Sequence, residues 1–398
     1  SAAIEDSVPD VARAIALGCK RMTRAELLAE HFNAVEHSIA VGGTSGKSTV
    51  TGMIGWILTE AGRGPTIMNG AVMKNFVDSD APFASSRVGA GELMVSEVDE
   101  SDGSIALFDP EIAVLNNVSL DHKSLEELRV LFGDFIADAR YAVWNNDDEE
   151  SKALVASCGL ENARSFGFSE GADYQALQVE EKALGSSFTM RTGGVDYPVT
   201  LQIPGRHNIA NALAAIAASC ATGVPVDRAI AAIEGFVGLA RRFDIVGTAN
   251  GITVIDDFGH NPDKIAATLA TLKAFPGRII AFFQPHGFGP IKKMGAELAE
   301  VFSENLDGDD RVILCDPVYF GGTVDRTLGS QSIVDAITSA GGSAAYFAER
   351  QDCGDNIVEI AKTGDRIVIM GARDDTLHIF AQSILAAIAR DQRGTDAV

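Results

Sequence analysis

Short continuous apolar runs alternate along this chain with longer stretches in which apolar residues return at helical spacing. Ile39 to Val41, Leu93 to Val95, Ile112 to Leu115 and Tyr141 to Trp144 are too short for helices and read as buried strands. Met53, Ile54, Ile57 and Leu58 follow a helical period until Gly62 stops it. Residues 63–76 read as a strand and a loop turning at Asn69-Gly70, and residues 124–145 as a helix and a strand. Between 151 and 200 the pattern shortens and alternates around Gly193-Gly194, which predicts antiparallel strands beside the main sheet. An alanine-rich helix then runs from Gly205 to Gly223, and a short one from Val226 to Ile233.

A change of character at 236-FVGLARRFDIVG-247, with adjacent Arg241 and Arg242, marks a boundary near residue 239. Beyond it strands at 252–256, 278–283, 311–315, 344–347 and 366–370 alternate with helices at 262–274, 291–303, 331–339, 355–361 and 376–390. That alternation predicts a doubly wound, mostly parallel α/β domain. Its polar loops follow the strands: 256-DDFGHNP-262, 284-QPHGFGP-290, 316-DPVYFGGTVDR-326 and 371-GARDDTLH-378. The third, with its glycines, tyrosine and Arg326, suits ligand contact; surface turns are the alternative for each. Residues 1–37 carry a short helical pattern (Val11, Ala14, Ile15) and a capping box, Thr23 with Glu26. So small a piece cannot bury its own core. It either packs on the next domain or is the remnant of an N-terminal α/β domain.

Composition narrows the class. A chain of 398 residues accommodates two or three domains. The net charge of −23 argues against a nucleic-acid phosphate tracker or a binder of anionic membranes, though not against a nucleotide site. The five cysteines are widely spaced and form no C-x-x-C pair, so neither a zinc site nor a disulfide framework is suggested and a reduced cytoplasmic setting is expected. The opening SAAIEDSVPD does not read as a signal peptide, and no apolar run reaches the roughly 18 residues of a membrane span.

Candidate chemistry centres on 42-GGTSGKST-49. A strand, a glycine-rich turn and a helix N-terminus make an anion site, in which the backbone N–H groups of Gly43 to Ser48 are expected to point inward. Lys47 supplies a point charge for the β/γ-phosphates of ATP, and Ser48 a hydroxyl for Mg²⁺. Val41 stands where the usual phosphate loop has its first glycine, so this is a compact G-G-T-x-G-K-S variant; an ordinary glycine-rich turn is the alternative. In 91-GELMVSEVDESDGSIALFDPEIAVLNNVSLDH-122, carboxylates and polar residues follow two strands directly, at the sheet edge where a phosphate loop also lies. Glu97 becomes a candidate metal ligand and His122 a second one, against a solvated acidic loop and a helix-cap histidine respectively. His207 and Asn208 start the alanine-rich helix, where a base or phosphate could be met. A phosphate loop in one domain and strand-end polar loops in another suit ATP activation of a carboxylate as an acyl phosphate, followed by attack of an amine. A phosphate-loop ATPase acting as a switch and a degenerate nucleotide-binding regulator are the alternatives.

Five stretches together resemble the Mur ligase family of ATP-dependent amide-bond-forming enzymes: 43-GTSGKST-49, 97-EVDESD-102, 116-NNVSLDH-122, 205-GRHNIANALAA-215 and 256-DDFGHNP-262. Within it, 69-NGA-71, 97-EVDESD-102, 239-LARRFD-244 and 283-FQPH-286 lean towards the alanine-adding and murein tripeptide recycling branches. The resemblance implies a cytoplasmic enzyme with a phosphate-loop ATPase-type central domain (38–238), a C-terminal Rossmann-like ligase domain (239–398), and in 1–37 the tail of a UDP-binding domain. It implies ATP and Mg²⁺ as cofactors, a UDP-sugar carboxylate (UDP-N-acetylmuramate or a related muramyl compound) and an amino acid or peptide as substrates. Gly43, Thr44, Ser45, Gly46, Lys47, Ser48 and Thr49 would hold the phosphates. Ser48 with Glu97 would hold the first Mg²⁺, and His122 the second. Asn208, with His207 beside it, resembles an adenine-contacting asparagine, and Arg242 an arginine that meets the phosphates. Asp257 and His260 would lie near the ribose or the reacting centre. No lysine follows Lys123 in 124–140, so the carbamylated lysine of some relatives is absent. Two departures concern specificity: Ser45 replaces the histidine usual in the alanine-adding branch, and Gly287, Phe288, Gly289 and Pro290 stand where that branch has arginines. The following Lys292-Lys293 is more similar to the recycling branch.

Overall fold

The computed structural model describes residues 6–90, 92–119, 123–160, 162–317, 327–374 and 376–390. Its packing divides into two compact units, Ser1–Gly238 and Leu239–Val398. The first opens with helices α1 (Pro9–Ala16) and α2 (Arg24–Phe32), the latter started by the Thr23/Glu26 capping box. Helix α2 buries Ala29 and Phe32 in the core of this unit, whereas α1 buries nothing.

Strands β1 (His37–Gly42), β2 (Thr66–Met68), β3 (Ser86–Arg87), β4 (Leu93–Glu97), β5 (Ile112–Leu115), β6 (Tyr141–Asn145), β7 (Ala163–Gly167), β8 (Tyr174–Lys182), β9 (Gly185–Thr192) and β10 (Val195–Leu201) form one sheet in the order β10-β9-β8-β7-β6-β5-β1-β4-β2-β3. Pairing is parallel from β2 through to β8, and β9, β10 and β3 are antiparallel additions at the edges. Strand β1 is buried from Ser38 to Gly42 and lies between β4 and β5, with Val41 opposite Glu97 and Gly42 opposite Leu115. The chain leaves β1 for β2 on one side and later returns to β5 on the other. The carboxyl end of β1 is therefore the switch point of the sheet, where ligands of open α/β sheets bind.

The helices of this unit are α3 (Lys47–Glu60), α4 (Leu125–Ala137), α5 (Glu149–Cys158), α6 (Arg206–Ala221) and α7 (Val226–Ile233). Helix α5 falls inside the stretch read from sequence as strand-rich and is a correction to it. Asp148 caps it by accepting from Ser151 N, and Gly159 ends it in the left-handed region.

The second unit holds β11 (Asp244–Ala249), β12 (Ile252–Asp257), α8 (Pro262–Lys273), β13 (Ile279–Gln284), α9 (Phe288–Asn305), β14 (Arg311–Leu314), α10 (Gln331–Ser339), β15 (Ala344–Tyr346), α11 (Arg350–Ile360), β16 (Arg366–Gly371) and α12 (Thr376–Arg390). Its sheet order is β11-β12-β16-β13-β14-β15, parallel except for β11, a strand the apolar pattern did not reveal. Two apolar clusters, one on Ile255, Ala281 and Val368 and the other on Val254, Phe282 and Ile369, cover its two faces, as successive side chains of buried parallel strands require. Register brings Asp257 beside Met370 and Gln284 beside Gly371, so both polar side chains stand at one edge.

Candidate active site

The turn between β1 and α3 has the shape of an anion site. Gly43 (φ +132°) and Gly46 (φ +82°) take left-handed conformations that other residues adopt only under strain. Gly46 caps α3 without any side-chain bond, so the first N–H groups of the helix are left for a ligand. The inward array is shorter than the sequence implied. Thr44 N donates to Asn117 O (3.1 Å) and Ser45 N to Asn117 Oδ1 (2.9 Å), so these two N–H groups hold the loop instead.

Lys47 Nζ donates to Gly43 O (2.8 Å) and to Glu100 Oε2 (2.6 Å), which folds the ammonium back over the loop. An ammonium has three donors, so one remains for a phosphate oxygen. Glu100 is 3 % exposed, and its charge is tolerated there because Lys47 lies against it. Sequence reasoning had placed Glu100 only within an acidic cluster. Its position three residues past Glu97, beyond a strand end, was the available signal.

Ser48 Oγ donates to Glu97 Oε2 (2.6 Å). Asn69 Nδ2 donates to Ser48 O (2.9 Å), and Gly70 leaves the room in which Glu97 sits: a Cβ on Gly70 would stand 2.0 Å from Glu97 Oε1. Gly70→Ala is therefore expected to displace the Glu97 carboxylate while leaving the backbone in place. ATP turnover should fall at least about tenfold, with the melting temperature nearly unchanged because surface groups adjust cheaply. Steady-state kinetics beside a thermal melt checks this, and unaltered turnover contradicts the cradle. Thr44 Oγ1 donates to Asn117 Oδ1 (2.9 Å) and shares a bond with Ser119 Oγ (2.8 Å). Thr49 lies in the first turn of α3. His122 lies outside the described residues, and among those described no group of three or more His, Cys, Asp or Glu could hold a metal.

At the start of α6, Arg206 lies over the ring of Phe168 at 3.9 Å, a stacked platform that the sequence reading did not pick out. Asp147 orients it by accepting from Phe168 N and Ser169 N. His207 follows on the same turn, its ring close to the position of a Cβ on Gly205. Asn208 is 6 % exposed, and both ends of its amide are engaged: Nδ2 donates to Pro204 O (2.7 Å) and Oδ1 accepts from Asn211 Nδ2 (3.2 Å).

In the second unit, Asp257 is tied into the backbone: it accepts from Phe243 N (2.8 Å), Gly259 N (2.8 Å) and Thr268 Oγ1 (2.9 Å). Arg242 lies 4.7 Å from the ring centroid of Phe258. His260 Nδ1 lies 2.9 Å from Phe258 O, and since a carbonyl only accepts, Nδ1 carries the proton and Nε2 the lone pair. The rings of His260 and His286 meet edge to face at 5.3 Å. Burial lowers the pKa of both, His286 to about 4, with His260 and Arg373 as further causes for His286. Burial thus favours the neutral form of both imidazoles. For a group whose folded pKa lies below its unfolded value near 6.5, the stability contribution is complete above pH ~6.5 and is lost as pH falls towards 4. Wild type should accordingly lose more melting temperature between pH 6.5 and 4.5 than His286→Gln. Parallel pH–melting curves for the two would contradict this.

Lysine and serine at a helix start, a carboxylate beside them at the sheet switch point and a second open α/β sheet are the parts of an ATP-dependent ligase. The Mur ligase middle domain model matches residues 41–219 and the Mur ligase glutamate ligase domain model matches residues 241–373. The chain belongs to the Mur ligase family, ATP-dependent enzymes that form amide bonds. It is 35 % identical over 384 residues to a UDP-N-acetylmuramate–L-alanine ligase of Dinoroseobacter shibae, covering 94 % of this chain and 80 % of that one. It is 34 % identical over 388 residues to the enzyme of that name from Sorangium cellulosum, again with 94 % and 80 % covered. Among solved structures, the UDP-N-acetylmuramate–alanine ligase of Thermotoga maritima superposes with a TM-score of 0.77 at 24 % identity, covering 96 % of this chain and 83 % of that one, which shows the shared fold. A murein peptide ligase of Psychrobacter arcticus has a TM-score of 0.66 at 25 % identity, with 98 % and 85 % covered. Family membership supports the ligase over the switch and the degenerate regulator. No helix among the described residues is long and apolar enough to cross a membrane.

Proposed function

We propose that this chain joins the carboxylate of UDP-N-acetylmuramate, or a related muramyl compound, to the amine of an amino acid or short peptide in the cytoplasm. The observation that carries the ATP half is the pairing of Ser48 Oγ with Glu97 at 2.6 Å beside Lys47, at the carboxyl end of β1. The γ-phosphate and the incoming carboxylate are both anionic, and they meet only where positive charge is supplied. Lys47 and the α3 N-terminus supply part of it. Mg²⁺, when bound, adds Lewis-acid neutralisation. Ser48 and Glu97 fit it, being one hydroxyl and one carboxylate of the few protein ligands that a Mg²⁺ on phosphate takes. His122 is proposed for a second Mg²⁺ on sequence grounds. The Phe168–Arg206 stack, next to His207, offers a planar face for the adenine.

The amine must reach the acyl phosphate uncharged. Around His260, the cations Lys264, Arg242 and Arg373 disfavour any further positive charge. The same field favours the uncharged form of an amine held beside these cations. Specificity for the amine is where the relatives' name is least supported. Gly287 (φ +147°) starts α9, and 287-GFGP-290 contains no guanidinium to grip a free amino-acid carboxylate bidentately. We therefore propose an amine other than free L-alanine. The test is phosphate release from Mg·ATP with UDP-N-acetylmuramate and a panel of amino acids and murein-type peptides. Release that requires both carboxylate and amine supports the ligase, and release without either removes it. A clear preference for L-alanine removes the proposed amine specificity alone.

A further inference from the structure

We infer that Asn116 and Asn211 are positioning residues, a buried amide relay from α6 that holds the phosphate loop in its binding shape. This rests on the reading of residues 42–48 as a nucleotide phosphate site. Asn116, the first residue past β5, is 5 % exposed, and Asn211, inside α6, is 4 % exposed. Asn116 Nδ2 donates both its hydrogens, to Ser45 O at 3.0 Å and to Asn211 Oδ1 at 3.1 Å. Because both partners only accept, the orientation of this amide is set. Asn211 Nδ2 in turn donates to Asn208 Oδ1, and Asn208 Nδ2 to Pro204 O, so three amides link the start of α6 to the loop.

Two features indicate more than core packing. First, the relay occupies the space that the left-handed Gly46 leaves. A Cβ there would stand 2.3 Å from Asn116 Nδ2 and 2.8 Å from Asn211 Oδ1, the two atoms that bond each other. Second, Asn116 Oδ1 is buried without a hydrogen-bond partner, an arrangement that costs stability and that an apolar residue would avoid. What the amide achieves is local. Ser45 O receives Asn116 Nδ2 and also Asn117 Nδ2 (3.1 Å), which fills both its lone pairs. With that carbonyl fixed against the two amides, the Gly46 N–H of the same trans peptide unit points the opposite way, at the open start of α3.

The test separates the phosphate end of the site from the nucleoside end. Binding of Mg·ATP and of Mg·tripolyphosphate, which has no base or ribose, is measured by calorimetry on wild type, Asn211→Ala, Asn116→Ser and the double variant. Alanine at 211 suits an alanine-rich helix, so the fold should survive, and a thermal melt verifies it. The expected result is a loss of about tenfold for both ligands in each single variant, with the double variant no weaker than either, as one shared link predicts. Loss for ATP without loss for tripolyphosphate means that Asn211 serves the nucleoside end and overturns the relay. Unchanged binding in both singles, or independent additive losses, overturns it too. Wild type failing to bind either ligand brings down the phosphate-site reading itself and the relay with it.

Discussion

Lys47→Met should lose ATP turnover by about 10²–10³-fold and also lose stability, for two separable reasons. The kinetic loss arises because Lys47 is the loop's only side-chain cation for phosphates gathered from water into a partly enclosed site, where one such group is worth two to three decades. The stability loss arises from Glu100, 3 % exposed and 2.6 Å from Lys47 Nζ. Removing one partner of a buried pair strands the other's charge, at roughly 3–5 kcal/mol. Adding Glu100→Gln to Lys47→Met should return much of the melting temperature while turnover stays absent. Recovery of turnover in that double variant would show that Lys47 acts only as the structural partner of Glu100. Denaturant melts and phosphate release on the single and double variants read both effects.

Glu97→Gln is the second large effect. The amide keeps the size of the carboxylate and can still accept from Ser48 Oγ, now 2.6 Å from Glu97 Oε2, so the fold should melt within a few degrees of wild type. Its charge is gone. Turnover should drop about 10²–10³-fold, and the Mg²⁺ concentration giving half-maximal rate should rise at least about tenfold. A Mg²⁺ titration with ATP held saturating reads the second number. An unshifted midpoint would leave Glu97 as a loop-shaping residue rather than a ligand. Together with Gly70→Ala, which moves the same carboxylate without removing its charge, this distinguishes the presence of the group from its placement.

Much of the architecture is legible in the pattern of apolar positions. Strands β1, β4 and β5 are largely buried on both faces and, like β6, read as unbroken apolar runs, and Gly62 and Gly223 end helices where chain reversal needs positive φ. Helix α5 was missed because only Ser151 and Leu154 of it are buried, too little to set a helical period. Strand β11 was missed because its burial is mixed and its ladder with β12 is interrupted between Ile245 and Gly247. In the candidate site, Lys47, Ser48 and Glu97 could be named as candidates in advance because phosphate-loop spacing and a strand-end carboxylate are local signals. The roles of Glu100, Asn116, Asn117 and Asn211 could not. Each depends on a partner 53 to 95 residues away.

By itself, then, the sequence determined most of the elements, the glycine-rich turn and the family, because helical period, strand burial and glycine backbone freedom all act over a few residues. Only the tertiary structure decided that Glu100 meets Lys47, and which amides hold the loop. Those choices follow from the strand order β5-β1-β4 and from α6 packing beside α3. Non-local pairing assembles that order, and no spacing along the chain encodes the direction in which a side chain leaves a strand end.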